Sequence, residues 1–216
     1  MVAFFTSSWF RGARSLAAHC ISRVAVPCVL AIATAGLAPV SLKAQDHAAL
    51  AEVTEPAGYR DDHYRSPVPK TLKGARVIDA AAAAELARAG AVMIDVYPQA
   101  PKPAGLPPGT IWRRPKHMSI DGATWLPNVG YGKLAQEPET YFRYSLERLS
   151  GGAKDKPLVF YCLRDCWMSW NAAKRALEWG YADVIWFPDG TDGWQENGGT
   201  LVEATPAPGA DGKVQE

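Results

Sequence analysis

The chain has 216 residues, 48% of them hydrophobic and 21% charged, with 23 Lys and Arg against 22 Asp and Glu. That balance lacks the basic footprint of a nucleic-acid binder, and the length is enough for one domain with a real core. Four cysteines and eight tryptophans are the unusual components.

Arg11, Arg14 and Arg23 lead into an uncharged run at residues 24–40, and Leu42-Lys43-Ala44 ahead of Gln45 is an acceptable small-residue cleavage site. Residues 1–44 therefore read as a secretory signal cleaved near Ala44. The uncharged run is shorter than the ~20 residues of a membrane span and contains Pro27 and Pro39, so no retained anchor is expected. Neither Cys20 nor Cys28 follows the apolar-small-small box of a lipoprotein. Cleavage removes four of the basic residues and none of the acidic ones, which turns the net charge to near −3. It also leaves Cys162 and Cys166 as the only thiols, in an oxidising compartment where such a pair is either a structural staple or a redox couple.

Residues 45–69, rich in Pro, Gly and charge, read as an extended arm. Arg76-Val77-Ile78 is a short strand, and Asp79 can cap an alanine-rich helix over residues 80–89 that Gly90 ends. Residues 91–96 form a buried strand, followed by a proline-rich loop over 97–109 and by extended pieces at 111–112 and 123–126. Tyr141, Phe142, Leu146 and Leu149 make a helical stripe within residues 139–149, closed by Gly151-Gly152. Residues 157–161 are a strand, 169–179 a helix ended by Gly180, and 184–186 another strand. Strands alternating with helices imply an α/β fold with a mainly parallel sheet flanked by helices on both faces. The domain is expected over residues 70–200, with a flexible tail from 201 to 216.

Reactive loops in such sheets lie beyond the carboxyl ends of the strands, and Cys162 stands at one. The loop Leu163-Arg164-Asp165-Cys166-Trp167-Met168 enters a helix whose free amides and dipole stabilise a thiolate or a sulfur oxyanion. Arg164 adds a cation and Asp165 opposes it. Ser169 is expected to cap the helix and aim its amides at the anion.

Several segments occur in the order of the landmarks of rhodanese-like domains. They are Ile94-Asp95-Val96, Ser119-Ile120-Asp121-Gly122-Ala123 ahead of Leu126-Pro127, residues 158–162, Asn171-Ala172-Ala173 and Asp189-Gly190-Thr191-Asp192-Gly193-Trp194. More narrowly, Gly58-Tyr59-Arg60, Trp125-Leu126-Pro127-Asn128-Val129-Gly130 and the run from Cys166-Trp167-Met168 to Lys174-Arg175 resemble the exported CXXCW motif proteins associated with catabolism dependent on pyrroloquinoline quinone (PQQ). The spacing in this chain is CxxxCW.

The resemblance implies a periplasmic protein associated with alcohol oxidation by PQQ-dependent dehydrogenases, with such a dehydrogenase system or a redox protein as partner. It also makes Cys162 the counterpart of the nucleophile that accepts sulfane sulfur as a persulfide. The loop departs from the rhodanese pattern by placing Trp167 and Met168 where a terminal cation would sit, which weighs against ordinary thiosulfate turnover. The same absence weighs against a cysteine phosphatase, which needs that cation to clamp phosphoryl oxygens.

Residues four apart in helix-like geometry are close enough for a disulfide. Cys166 could thus resolve a persulfide or mixed disulfide on Cys162, or the two could form a permanent bridge. The seven tryptophans beyond residue 44 belong mainly to the core, with Trp167 the one candidate to stack on a quinone such as PQQ. A non-catalytic module binding a quinone or a dehydrogenase is therefore the alternative function. A Cu(I) carrier ranks third, because His47, His63 and His117 have no short spacing that ties them to the thiols, and no metal site is expected. The CxxCH spacing of covalent haem attachment is absent. Asp95 and Tyr97 could face the Cys162 loop. The competing role for Asp95 is to cap its own loop or to pair with Arg113 or Arg114.

Overall fold

A computed structural model describes residues 52–213. The expected signal at 1–44 and the first part of the arm lie outside the described residues, as does His47.

Strand β1 (Arg76–Val77) leads into α1 (Ala80–Arg88), whose first turn is closed by Asp79 Oδ1 accepting from the Ala82 amide at 2.9 Å. Strand β2 (Val92–Asp95) follows, then the proline-rich loop, β3 (His117–Ile120) and β4 (Thr124–Trp125). Helix α2 (Gln136–Ser150) starts before its apolar stripe, where Glu137 and Glu139 complement the positive helix end, and stops at Gly151 in the left-handed region at φ 64°. Strand β5 (Leu158–Tyr161), α3 (Trp167–Glu178), β6 (Val184–Phe187), α4 (Gly190–Glu196) and β7 (Leu201–Ala204) complete the order.

Five strands form one parallel sheet in the order β1-β6-β5-β2-β4. Alternate residues of its central strands serve opposite faces. Leu158, Phe160, Val184 and Trp186 join the cluster built by α2 and α3, whereas Val159, Tyr161, Ile185 and Phe187 join the one built with α1 and next to Trp194 of α4. Helices therefore cover both faces, as the strand–helix alternation implied. All four β5 side chains are fully buried, and at about 1.5–3 kcal/mol for each large apolar group this strand is a main source of stability.

Two strands and one helix departed from expectation. Strands β3 and β7 pair antiparallel, with His117 opposite Ala204 and Ile120 opposite Leu201, in a separate small sheet. Beyond it the Ala207 amide donates to the Trp125 carbonyl and Tyr141 Oη donates to the Ala207 carbonyl, each at 2.9 Å. The fold thus continues past residue 200, where a flexible tail was expected. Each of these strands is four residues long and mixed in polarity, so neither carries a readable pattern without the other. Helix α4 is short and begins at Gly190, a poor helix former.

Residues 52–69, the described part of the arm, form no helix or named strand and are tied to α3. Asn171, fully buried, accepts from the Arg60 amide at 3.0 Å and donates to the carbonyls of Arg60 and Gly130 at 2.8 and 2.9 Å. Among the described residues no helix is long and apolar enough to cross a membrane.

Candidate functional site

The carboxyl ends of the parallel strands meet along one edge, where Asp95 is in register with Tyr161 and Trp125, and Tyr161 with Phe187. Cys162 is the next residue after β5, and Cys166 is the N-cap of α3. Three residues turn the chain between them, with Asp165 at φ 52°, a left-handed conformation that Asp tolerates better than most residues. The two cysteines are joined as a disulfide with their Cα atoms 6.2 Å apart. Both are buried, at 1% and 2% exposure.

Behind the loop, the Thr191 amide donates to the Cys162 carbonyl at 2.9 Å, and Leu163 bridges to Gly190. Gly190 has φ 51°, and a side chain there would collide with the Cys162 carbonyl, so glycine alone permits this approach. In front of the loop lies the arm. The Trp167 amide, at the start of α3, donates to the Tyr64 carbonyl at 2.9 Å, and Arg65 bridges to Cys166. An amide expected to face an anion is thus already satisfied by backbone.

Arg164 is not free to serve the sulfurs. Its guanidinium grips Glu196 with two hydrogen bonds of 2.6 Å and reaches Asp189 at 3.2 Å, while its amide donates to Asp192 at 3.0 Å. These contacts raise the Arg164 pKa and lower that of Glu196. Two carboxylates on the guanidinium and a third, Asp192, on the Arg164 amide, with Asp165 exposed beside them, make the outer face of the loop acidic. That setting opposes binding of thiosulfate or phosphate, because the cation that Arg164 was expected to add is held by its own carboxylates.

Ser169 does not cap α3. It sits fully buried in the first turn, where its Oγ donates to the Cys166 carbonyl and accepts from Trp186 Nε1, both at 3.0 Å. Cys166 holds the cap position without a side-chain hydrogen bond. Trp167 was expected at the rim and is instead 3% exposed, its Nε1 donating to Ser66 Oγ and the Pro67 carbonyl, its ring edge-to-face with Trp170 at 5.4 Å. Neither face of it is offered to a flat cofactor. Met168 is likewise in the core.

Asp95 turns away from the cysteines, because successive residues of a strand face opposite sides and Asp95 shares its side with Tyr161. It is fully buried and caps its loop by accepting from the Tyr97 amide at 2.8 Å. Its other oxygen accepts from Ser119 Oγ at 2.6 Å and meets His117 Nε2 at 2.7 Å, so its ring partner is a histidine and neither Arg113 nor Arg114 pairs with it. Ser119 Oγ also meets Tyr161 Oη at 2.8 Å, and burial, then the Asp95 charge, pushes the Tyr161 hydroxyl pKa well up. The His117 ring lies parallel to Tyr97 at 4.8 Å and tilted against Trp125 at 4.3 Å. Sequence reading missed this cluster. Its signal was the i, i+2 spacing of His117 and Ser119, which puts both on one side of a strand.

Among the described residues no group of three or more metal-ligating side chains gathers. His63 is exposed beside Asp62, and His117 is committed to Asp95. Compared with known proteins, the chain matches no family model, no curated sequence and no solved structure.

Proposed function

We propose that this chain is an exported, periplasmic rhodanese-like protein of PQQ-dependent alcohol catabolism that exchanges disulfides through Cys162 and Cys166. The observation that carries the reading is the disulfide at the carboxyl edge of the parallel sheet, linking the end of β5 to the first residue of α3. A partner thiolate attacks one sulfur, forms a mixed disulfide and releases the other cysteine as a thiolate. A second partner thiol then displaces the protein sulfur, and the partner leaves oxidised while Cys162 and Cys166 leave reduced, each having gained an electron and a proton. Sulfane-sulfur transfer is the weaker version, since the acidic loop and the arm carbonyl at Trp167 leave little to hold a sulfur oxyanion.

The test is the reduction potential of the pair, read by thiol alkylation after equilibration in graded redox buffers. A value between about −120 and −230 mV supports an exchange protein, and one below about −300 mV means a structural bridge. In the working case Cys166→Ser traps a mixed disulfide on Cys162, and Cys162→Ser abolishes exchange.

The burial of both sulfurs under the arm favours a second reading, a binding module for a quinone or a dehydrogenase in which the bridge only stiffens the loop. Quenching of tryptophan fluorescence by PQQ that survives in the double cysteine variant supports that reading over the first.

A further inference from the structure

The walls around the disulfide differ in stiffness. At the back, the Cys162 carbonyl is held by the Thr191 amide and lies against Gly190, where there is no room even for a Cβ. The Cys166 carbonyl is held by the buried Ser169 hydroxyl, which Trp186 holds in turn. In front stands the arm, whose residues 61–63 are exposed and whose His63 lies in the left-handed region at φ 41°. Such a backbone is unfavourable for a residue with a side chain and persists only while its surroundings hold it.

The arm is fastened to the body of α3 at two points, by Arg60 on Asn171 and by the Thr71 carbonyl on Trp170 Nε1. Between them the Tyr64 ring is pinned by the Gly132 amide and by Tyr131. The backbone there is latched to the start of the helix instead. The Tyr64 carbonyl takes the Trp167 amide, Arg65 bridges to Cys166, and Ser66 and Pro67 take the Trp167 indole N–H. Every one of these latches lands on Cys166 or on the residue after it.

Bonded sulfurs lie about 2 Å apart, whereas two thiols in contact need about 3.5–4 Å. Cys162 and Cys166 are already fully packed, and close-packed interiors pass such a displacement on to their neighbours.

We propose that reduction of the Cys162–Cys166 bridge, by driving the two sulfurs apart, unlatches residues 64–67 from the start of α3. A dithiol gives the bridge two electrons and two protons and itself becomes a disulfide. The back wall holds, and Cys166 presses the strap outward. The Trp167 amide and indole N–H then lose their partners and face solvent at the amino end of α3. The reduced protein presents to a partner a tryptophan-bearing helix end that the oxidised protein hides. That surface serves the exchange partner of the proposed function, and only this last step rests on that reading.

The Trp167 amide is the reporter, because its acceptor is the strap. The controls are the Thr191 amide behind the loop and the Val96 amide, which donates to the Tyr161 carbonyl at 3.0 Å. Hydrogen exchange of the mature chain is followed by NMR in the oxidised state and after full reduction by tris(2-carboxyethyl)phosphine, which takes an oxygen from water and ends as the phosphine oxide. Reduction is expected to speed exchange at Trp167 by at least about tenfold and to leave both controls within about twofold. An unchanged Trp167 amide overturns the proposal, and so does equal acceleration at all three positions, which is general loosening. Cys162→Ala/Cys166→Ala lacks both the bridge and the bulk of the sulfurs, and it is expected to keep the protection of the oxidised protein at Trp167. If it exchanges like the reduced protein, loss of the crosslink rather than displacement opens the strap, and the proposal fails. A reduction potential below about −300 mV removes the exchange reading yet leaves this comparison intact, since the phosphine reduces either kind of bridge.

Discussion

The carbonyl of Tyr64 accepts the Trp167 amide at 2.9 Å, so the arm occupies the amino end of the helix that begins at the second cysteine. The same arm bridges Arg65 to Cys166 and lays Ser66 and Pro67 over the indole of Trp167. Access to the disulfide is therefore a property of the arm as much as of the loop. A thiol reaching either sulfur has to wait for residues 64–67 to lift, or for the domain to open.

Asn171 is the clip that decides between these routes. Asn171→Ala removes its three hydrogen bonds to Arg60 and Gly130 and is expected to cost about 2–3 kcal/mol. If arm opening limits access, reduction of the disulfide by a small thiol accelerates by on the order of 30–100-fold, measured by alkylation at timed intervals. A rate unchanged beside a lowered unfolding midpoint would place the sulfurs behind global unfolding instead.

Gly190 sets how closely α4 approaches the cysteine loop. Gly190→Ala forces a side chain onto the Cys162 carbonyl in a left-handed conformation, with an expected loss of about 2–4 kcal/mol in urea unfolding. Gly90→Ala has a comparable φ of 84° but open space around it. It is expected to cost only about 1–2 kcal/mol, which separates the collision from the backbone strain.

Arg175 is 5% exposed and donates to the carbonyls of Val129, Tyr131 and Gly132, with its guanidinium 4.1 Å from the centre of the Tyr59 ring. Burial lowers its pKa, yet the three carbonyls and the ring face keep the cation satisfied. Arg175→Met orphans all three carbonyls and is expected to destabilise the domain by about 3 kcal/mol, whereas Arg175→Lys recovers part of that. Calorimetric melting of the three proteins is the check.

Glu196 supplies a pH signature for the loop. Its carboxyl pKa lies below the ordinary 4.5 because Arg164 favours the charged form. Folding is thus stabilised by this contact fully above 4.5, and the contribution is lost as pH falls through the lowered value. Wild type and Glu196→Gln are expected to differ in unfolding midpoint at pH 7 and to converge at acid pH, once the carboxyl is protonated in the folded state. A difference that persists at the lower pH would show that the glutamate acts by packing rather than charge.

The disulfide closes a loop of about five residues, for which chain entropy alone gives about 2 kcal/mol. The double variant Cys162→Ala/Cys166→Ala is therefore expected to remain folded and to lose about that much in urea unfolding. A far larger loss would identify the bridge as a structural necessity.

The α/β alternation, the caps at Asp79, Gly151 and Gly180, and the position of Cys162 beyond a buried strand were legible in the sequence. Each is a local matter, set by hydrophobic period, a short-range hydrogen bond, or the one residue type that tolerates a left-handed turn. Cys162 and Cys166 could be seen as near enough to bridge for the same reason, since only three residues separate them. The partners of Arg164 lie 25 and 32 residues away, those of Trp167 about a hundred, and no local pattern encodes them. Strands β3 and β7 find their register only through each other, and His117 meets Asp95 only because β3 is placed beside the end of β2. Sequence determined the scaffold and the location of the sulfurs. Long-range packing, through contacts that exist only once the chain has closed on itself, decided that the loop would be acidic, that the arm would cover it, and that Asp95 would meet His117 rather than the cysteines.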